Sequence, residues 1–125
     1  MKKIINTKNA PAPIGPYNQA VMVGGMLYTS GQIAINPETN ELEMENIQSE
    51  TKLVMDNIGA ILTEAGMDFS NIIKCSIFIS DMNNFGQINE VYGSYFTSDF
   101  PARETVEVAC LPKSVNVEIS AIAVK

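Results

Sequence analysis

The most regular pattern of hydrophobic positions in the chain runs from residue 46 to residue 65. Apolar side chains recur there at steps of three and four residues, which is the spacing of one face of an α-helix. The apolar positions are Ile47, Val54, Ile58, Ile61, Leu62 and Ala65. Gly66 follows, where a left-handed residue often ends a helix. The pattern predicts an amphipathic helix over 46–65 with one face against a core.

A shorter apolar stripe predicts a second helix, which Asp81 or Asn83 can cap. Its apolar positions are Phe85, Ile88, Val91, Tyr92, Tyr95 and Phe96. We interpret these aromatic side chains as core residues, because a helix that lies on a sheet buries one face. Stacking on a ligand is the alternative interpretation.

Alternating hydrophobic and polar positions predict the strands. Gly24-Gly25 supplies the positive φ that a tight turn requires, so the segments 19–23 and 26–30 are predicted to form a β-hairpin. Further strands are predicted over 1–6, 72–80, 104–110 and 116–124. One face of the segment 72–80 is apolar, at Ile73, Cys75, Ile77 and Ile79.

The predicted order is strands, helix, strand, helix, strands, and no linker or repeat divides residues 1–125. We expect a single α+β domain in which two helices pack on one face of a mixed sheet. No further element is left to cover the opposite face, where Phe78, Ile122 and Val124 stand among polar neighbours. A half-covered sheet predicts an oligomer that buries the remaining face.

Composition limits the chemistry. The chain of 125 residues has a net charge of -6, which disfavours nucleic acid as a partner. It contains no histidine, which excludes Ser-His-Asp and Cys-His machinery and histidine-ligated metals. Cys75 and Cys110 are too far apart for a CxxC pair. No apolar run reaches the roughly 18 residues of a membrane span, and no signal peptide is visible, so we expect a cytoplasmic protein without membrane contact.

Arg103 stands just before the predicted strand 104–110, and Pro101 biases the residue before it toward extended backbone. A guanidinium fixed at the end of a strand can hold a small carboxylate through two parallel hydrogen bonds. The alternative is an ordinary surface arginine paired with a glutamate.

A further hypothesis concerns the last two strands. If the turn at 112–114 joined them as an antiparallel hairpin, Thr105 would lie close to Ser120, with Glu118 on the same side. The neighbourhood would then contain a cation, two hydroxyls and a carboxylate. The alternative is that the alternation of Glu118 and Ser120 marks a solvent-exposed face.

Several short motifs occur in a fixed order from about residue 4 to the C-terminus. They are Ile14-Gly15-Pro16-Tyr17, Thr29-Ser30-Gly31-Gln32, Asn89, Pro101-Ala102-Arg103, Val106-Glu107-Val108-Ala109, Leu111-Pro112-Lys113, Val117-Glu118-Ile119 and Ala121-Ile122-Ala123-Val124. Together these motifs closely resemble the Rid family, which is also called the YjgF or reactive intermediate deaminase (RidA-like) family.

The resemblance implies a chorismate-mutase-like α+β fold and a homotrimer. In such a trimer the sheets form a central barrel, with a cleft between each pair of subunits. The implied activity is hydrolysis of 2-iminobutanoate, 2-iminopropanoate and related enamines, which leak from pyridoxal-phosphate enzymes, to 2-keto acids and ammonia. The family uses no cofactor. A ribonuclease activity, which some relatives have, is disfavoured by the acidic charge and the lack of histidine.

The resemblance also assigns roles to residues. Arg103 matches the carboxylate-binding position. Ser120 stands where deaminase members commonly carry a glutamate that positions or activates water. Thr105 stands where many relatives have a cysteine. The other matched positions line the cleft, at Tyr17, Ser30, Gly31 and Asn89. We therefore expect catalysis to involve Arg103 and Ser120, and all these residues except Ser120 to contact substrate.

Ser120 is the one departure from the family pattern that bears on the reaction. A serine hydroxyl is neutral and is a poor general base without help. Glu118 does not obviously replace the missing glutamate, because it lies two residues away, about 6–7 Å along the strand. A non-catalytic protein that binds small carboxylates such as 2-keto acids is therefore the alternative function.

Overall fold

The computed structural model describes residues 1–125, which form one mixed six-stranded sheet and two α-helices. The strands are β1 (Lys3–Ile5), β2 (Ala20–Val23), β3 (Met26–Thr29), β4 (Ile72–Ile79), β5 (Ala102–Glu107) and β6 (Val117–Val124), and the helices are α1 (Ile47–Glu64) and α2 (Phe85–Gly93). The strand order across the sheet is β1-β2-β3-β6-β4-β5. Only β4 and β5 are parallel to each other. The predicted α+β class with a mixed sheet is confirmed.

Helix α1 begins and ends where the hydrophobic pattern predicts. Oδ1 of Asn46 accepts a hydrogen bond of 2.8 Å from the backbone N–H of Ser49, which is an N-cap. At the other end Gly66 has φ +73°, and the N–H of Met67 donates to the carbonyl of Leu62 at 2.8 Å. The apolar face between these ends is buried against the sheet. Neither helix has the length and hydrophobicity that a membrane span requires.

The predicted hairpin is confirmed. Gly24 and Gly25 have φ values of +57° and +81°, a conformation that is strained for other residues. A two-residue turn with positive φ at both positions matches the twist of the flanking strands. Strands β2 and β3 pair directly across it, with Val23 opposite Met26.

Strand β4 departs from the predicted alternation at Ile73. Ile72 lies opposite Ala123 and Lys74 lies opposite Ile122, so β4 carries one extra residue here. Ile73 is this extra residue and is 44% exposed, whereas Ile72 is buried. The prediction that Ile73 shares one face with Cys75, Ile77 and Ile79 is therefore wrong, because those three side chains are buried. A strict period of two cannot anticipate an inserted residue.

Strand β5 does not form a hairpin with β6. It pairs with β4 in parallel, and β4 separates it from β6. The connection explains this arrangement, because α2 lies between β4 and β5 in the sequence and supplies the crossover that a parallel pair needs. The strand spans Ala102–Glu107, so the predicted range of 104–110 begins and ends too late.

The hypothesis that Thr105 lies close to Ser120 depended on that hairpin and fails with it. Thr105 lies opposite Ile77, on the face that the helices cover, and Ser120 lies opposite Ser76, on the other face. Two strand spacings, about 10 Å, separate β5 from β6. Within one chain these hydroxyls therefore do not share a site.

Helix α2 is shorter than its predicted stripe and starts after a 3-10 turn, Met82–Asn84. Oδ1 of Asp81 caps this turn by accepting the N–H of Asn83 at 2.9 Å. Tyr95 and Phe96 follow the helix and still pack against the main core. The aromatic stripe is therefore largely a core feature, as predicted.

The sheet face opposite the helices, called here the open face, is uncovered within one chain. Its apolar side chains include Tyr28, Val106 and Val124, which are 42%, 41% and 36% exposed. Between them Nζ of Lys74 lies 2.9 Å from the Glu104 carboxylate, which also accepts a hydrogen bond from the Ser76 hydroxyl. The uncovered face agrees with the expectation from the sequence.

Candidate functional site

The guanidinium of Arg103 is held from two directions on the helix side of β5. Its Nη1 donates a hydrogen bond of 2.6 Å to Oδ1 of Asn89 on α2. Its Cζ lies 5.1 Å from the ring centre of Tyr92 and 5.6 Å from that of Phe85, within the range of cation–π contacts. We call these four residues the Arg103 cluster. The arrangement fixes the plane of the guanidinium and uses one of its five N–H donors.

No carboxylate neutralises Arg103 within the chain. The two ion pairs of the chain are Lys52–Asp56 and Lys74–Glu104. An ordinary surface arginine paired with a glutamate is therefore not what the structure shows. An exposed guanidinium that is oriented but uncompensated can receive a small carboxylate through its remaining donors.

The polar side chains beneath the Arg103 guanidinium, Tyr92, Cys75 and Thr105, are uncharged. Burial raises the pKa of Tyr92 above its usual range, and it also raises the pKa of the neighbouring Cys75 thiol. The Tyr92 hydroxyl has only this weakly polar thiol beside it, and the buried Oγ1 of Thr105 has no hydrogen-bond partner. Neutral neighbours leave the positive charge of Arg103 available for an anion.

A cleft of about 430 Å³ opens in front of the guanidinium. Its lining residues are Asn89, Tyr92, Gly93, Phe100, Pro101 and Arg103. Two of the predicted site residues, Arg103 and Asn89, thus meet in one cleft.

A second group of predicted site residues lies elsewhere, near the start of β6. Tyr17 and Gly31 line a small cavity of about 80 Å³ together with Glu118, and we call it the Glu118 cavity. Its other walls are Pro11, Ala12, Ile14, Gln19, Gln32, Ile33, Ile35 and Pro112. Tyr17 is 46% exposed, and its hydroxyl accepts a long hydrogen bond of 3.4 Å from the N–H of Ile14. The tyrosine is therefore free to contact a ligand.

A β-bulge directly after β3 brings the residues of this second group together. Tyr28 pairs with Ile122 but Gln32 pairs with Ile119, so β3 and the residues after it contain one residue more than the partner strand. Ser30 and Gly31 lie within this bulge. The hydroxyl of Thr29 accepts the N–H of Ala121 at 2.9 Å, and the Ser30 hydroxyl donates to the carbonyl of Asn18 at 2.6 Å.

Gln19 holds the loop that carries Tyr17, and no sequence pattern distinguishes it as a functional residue. Its side chain is almost fully buried. Oε1 accepts the N–H of Thr7 at 2.7 Å, and Nε2 donates to the carbonyls of Thr7, Ala10 and Pro11 at 2.8–3.1 Å. One amide thereby replaces the secondary structure that the Pro-rich loop cannot form.

Glu118 is half-buried, and burial raises the pKa of its carboxyl group. Ser120 lies two residues further along the open face and does not line the Glu118 cavity. Since Arg103 faces the helices and Glu118 faces the open side, the two groups of predicted residues do not meet within one chain.

No cluster of three or more His, Cys, Asp or Glu side chains suited to a metal occurs in the chain.

Comparison with known proteins agrees with this architecture. A family sequence model described as Endoribonuclease L-PSP matches residues 7–125. A Bos taurus protein named 2-iminobutanoate/2-iminopropanoate deaminase is 47% identical over 125 residues, which cover 100% of this chain and 91% of that protein. A RutC family protein of Pyrococcus horikoshii is 49% identical over 125 residues, covering 100% of this chain and 99% of that protein.

Two solved structures are similar along their whole length. A protein of the Rid family from Yersinia pestis has a TM-score of 0.97 at 49% identity, with 100% of both chains covered. The E. coli protein TdcF with bound serine has a TM-score of 0.94 at 46% identity, with 98% of both chains covered. With the motifs, the fold and these comparisons in agreement, the chain belongs to the Rid family.

Proposed function

We propose that the protein hydrolyses 2-imino acids such as 2-iminobutanoate and 2-iminopropanoate, and the related enamines, to 2-keto acids and ammonia. The Arg103 cluster is the observation that carries this proposal. A 2-imino acid offers a carboxylate to the guanidinium and an electrophilic carbon one bond away. Relatives named as deaminases of these two imines, at 47% and 42% identity over 125 residues, support the same substrate class.

The reaction is a hydrolysis without electron transfer. The oxygen of water bonds to the imine carbon, and the electron pair of the C=N bond moves to nitrogen, which takes up a proton. The carbinolamine then expels ammonia as its C–O bond becomes a carbonyl. Because the imine is already electrophilic, the site must mainly orient it and deliver water. Positioning of this kind can contribute about 7–11 kcal/mol in favourable model systems.

We further propose that the complete site lies between subunits of a homotrimer that packs through its open faces. The Arg103 cluster and the Glu118 cavity face opposite sides of the sheet, so neither is a complete site in one chain. One subunit would supply Tyr17, Ser30, Gly31 and Ser120, and its neighbour Asn89, Arg103 and Thr105. Sedimentation equilibrium should give three copies of the 13.6-kDa chain.

Both cysteines are free thiols, and a reducing cytoplasmic location is part of the proposal.

A non-catalytic carboxylate-binding protein is the second candidate function. Ser120 favours it, because a neutral hydroxyl stands where deaminase members commonly carry a glutamate. The similar protein TdcF has been solved with bound serine, which carries a carboxylate. A binder of this kind would use the same Arg103 cluster without turning its ligand over.

One pair of measurements separates the two functions. The imine is generated in situ by a pyridoxal-phosphate enzyme acting on threonine, and keto-acid release is followed with and without the protein. Titration of 2-ketobutyrate by calorimetry measures binding. Release faster than in buffer supports the deaminase; binding without faster release selects the carboxylate binder.

A further inference from the structure

The most exposed aromatic side chain of the protein stands at the rim of the cleft in front of Arg103. Phe100 is 63% exposed, although a phenylalanine ring is strongly stabilised by burial. It lines the cleft of about 430 Å³ together with Arg103, which follows it by three residues. The ring therefore offers apolar surface to whatever molecule the cleft receives.

Contacts with other aromatic rings hold Phe100 from behind. Its ring centre lies 6.1 Å from that of Phe96, and the two ring planes are inclined by 60°. Phe96 does not line the cleft; it packs against the main core, with its ring centre 5.0 Å from that of Tyr92 and 5.9 Å from that of Phe69. Separations of this size are typical of favourable aromatic pairs. The core thus supports the surface that Phe100 presents to the cleft.

Gly93, the last residue of α2, leaves open space in the same cleft. A Cβ at position 93 would meet no atom within 4 Å, and the φ of Gly93 is not positive. Position 93 therefore accepts a side chain without backbone strain. A large residue there would narrow the cleft, whereas removal of the Phe100 ring would widen it.

A 2-imino or 2-keto acid that binds through its carboxylate places its side chain within this cleft. The carboxylate accepts hydrogen bonds from the N–H donors of Arg103 that Asn89 leaves free. The side chain begins only two bonds from the carboxylate carbon, so it cannot leave the cleft. The surfaces that surround it there are the rings of Phe100 and Tyr92, and Pro101 beside them. Such walls favour an apolar side chain.

We propose that Phe100 is a specificity-determining residue: its ring receives the apolar side chain of the substrate and, with Gly93, sets the side-chain length that the cleft accepts. The proposal rests on the proposed function and adds to it the contact that selects among 2-imino acids. Burial of one methylene group against an apolar wall contributes about fourfold to binding. The wild type should therefore prefer 2-iminobutanoate to 2-iminopropanoate, which is shorter by one methylene.

The test measures kcat/KM for the two imines and, by calorimetry, the affinities for the corresponding keto acids, pyruvate and 2-ketobutyrate. In Phe100→Ala the preference for the longer ligand should fall by about fourfold, to near equality, whereas Phe100→Leu keeps an apolar wall and should retain most of it. Gly93→Leu should bind the longer 2-ketohexanoate about tenfold more weakly while its affinity for pyruvate changes by less than about twofold. Met82→Ala, which removes an exposed apolar side chain outside the cleft, is the control and should keep the wild-type preference.

The ratio between two ligands is insensitive to a general loss of folded protein, because both ligands report on the same sample. An unchanged ratio in Phe100→Ala, or a wild type without a preference, overturns the assignment of Phe100 and leaves the proposed function standing. If Phe100→Ala does not fold, Gly93→Leu decides, and an unchanged ratio between pyruvate and 2-ketohexanoate overturns the assignment.

A wild type that binds the keto acids but is no faster than buffer overturns the deaminase, and the calorimetric ratios then decide the role of Phe100 in a carboxylate binder. A wild type that neither binds keto acids nor speeds their release overturns the proposed function and this inference together.

Discussion

Nη1 of Arg103 lies 2.6 Å from Oδ1 of Asn89, and this hydrogen bond joins the edge strand β5 to helix α2. It holds a cationic group in one orientation at the mouth of a cleft. The rings of Phe85 and Tyr92 limit its movement on the other side. Pre-orientation of this kind reduces the entropy that a ligand must otherwise remove from the arginine on binding.

Asn89→Ala tests the contribution of this hydrogen bond. Hydrogen bonds to charged groups contribute about 1.5–3 kcal/mol, so KM for the imine should rise by roughly 10- to 100-fold, with a smaller effect on kcat. Steady-state kinetics of keto-acid release provide the measurement. Asn84→Ala is the control, because the Asn84 side chain makes no capping hydrogen bond. Equal KM values in both variants would contradict the orienting role of Asn89.

Gly31→Ala tests the close contact with Glu118. Gly31 does not have a positive φ, so alanine fits the backbone, but its Cβ would meet the Glu118 carboxylate. The carboxylate must then move, which changes the Glu118 cavity that Tyr17 and Gly31 line, and a displacement near 1 Å within a site can lower kcat by about 100-fold. Gly86→Ala is the control because a Cβ there meets nothing within 4 Å. Wild-type kcat in Gly31→Ala would show that the shape of the Glu118 cavity does not affect turnover.

Gln19→Ala tests the loop that carries Tyr17. The substitution leaves one N–H and three carbonyls without their partner, and we expect the free energy of unfolding to fall by about 2–4 kcal/mol. Urea unfolding at a fixed protein concentration measures the loss. Gln48→Ala, at an exposed position of α1, should change stability by less than about 0.5 kcal/mol. A loss no larger than that of the control would mean that the loop is held by other contacts.

The raised pKa of Glu118 predicts a pH dependence of stability. The ordinary value is 4.5, and burial moves the folded-state pKa above it, so the folded protein keeps a proton that the unfolded chain has released. The contribution of this group to stability therefore decreases as pH rises from about 4.5 through the raised pKa. Glu118→Gln removes that decrease.

The measurement for this prediction is the difference in unfolding free energy between Glu118→Gln and the wild type from pH 4 to 8. The difference should move in favour of the variant as pH rises and become constant above the raised pKa. Other titrating groups cancel because they are common to both proteins. A difference that stays flat, or that moves in favour of the wild type, would show that Glu118 gains a stabilising partner in the assembled protein.

Local chemistry made much of the fold predictable from the sequence. Gly24 and Gly25 specify their turn, and Asn46 and Gly66 mark the ends of α1, because each position imposes a backbone conformation or fills a capping role. The bulges at Ile73 and at Gly31 were not predictable, since an extra residue leaves no trace in an alternating pattern.

The site was predictable only in part. The motifs identify Arg103 and Asn89, but their hydrogen bond depends on the parallel pairing of β4 with β5. That pairing joins segments that are distant in the sequence, so local patterns do not reveal it. Arg103 and Ser120 are therefore placed on opposite faces, where a simple hairpin would have brought them together. Gln19 has no distinguishing sequence pattern, because its role depends entirely on how the loop folds over it.

The most direct test of the central claim is the imine hydrolysis assay on the wild type, Arg103→Lys and Arg103→Ala, with Lys52→Ala as a control for the loss of an exposed cation. Lysine keeps the positive charge but lacks the planar guanidinium that binds a carboxylate through two hydrogen bonds. Arg103→Lys should therefore keep part of the carboxylate binding. We predict keto-acid release above buffer for the wild type and the control, a reduced kcat/KM for Arg103→Lys, and no release above buffer for Arg103→Ala. Wild-type activity in Arg103→Ala would contradict the account, because the substrate carboxylate would then be bound elsewhere.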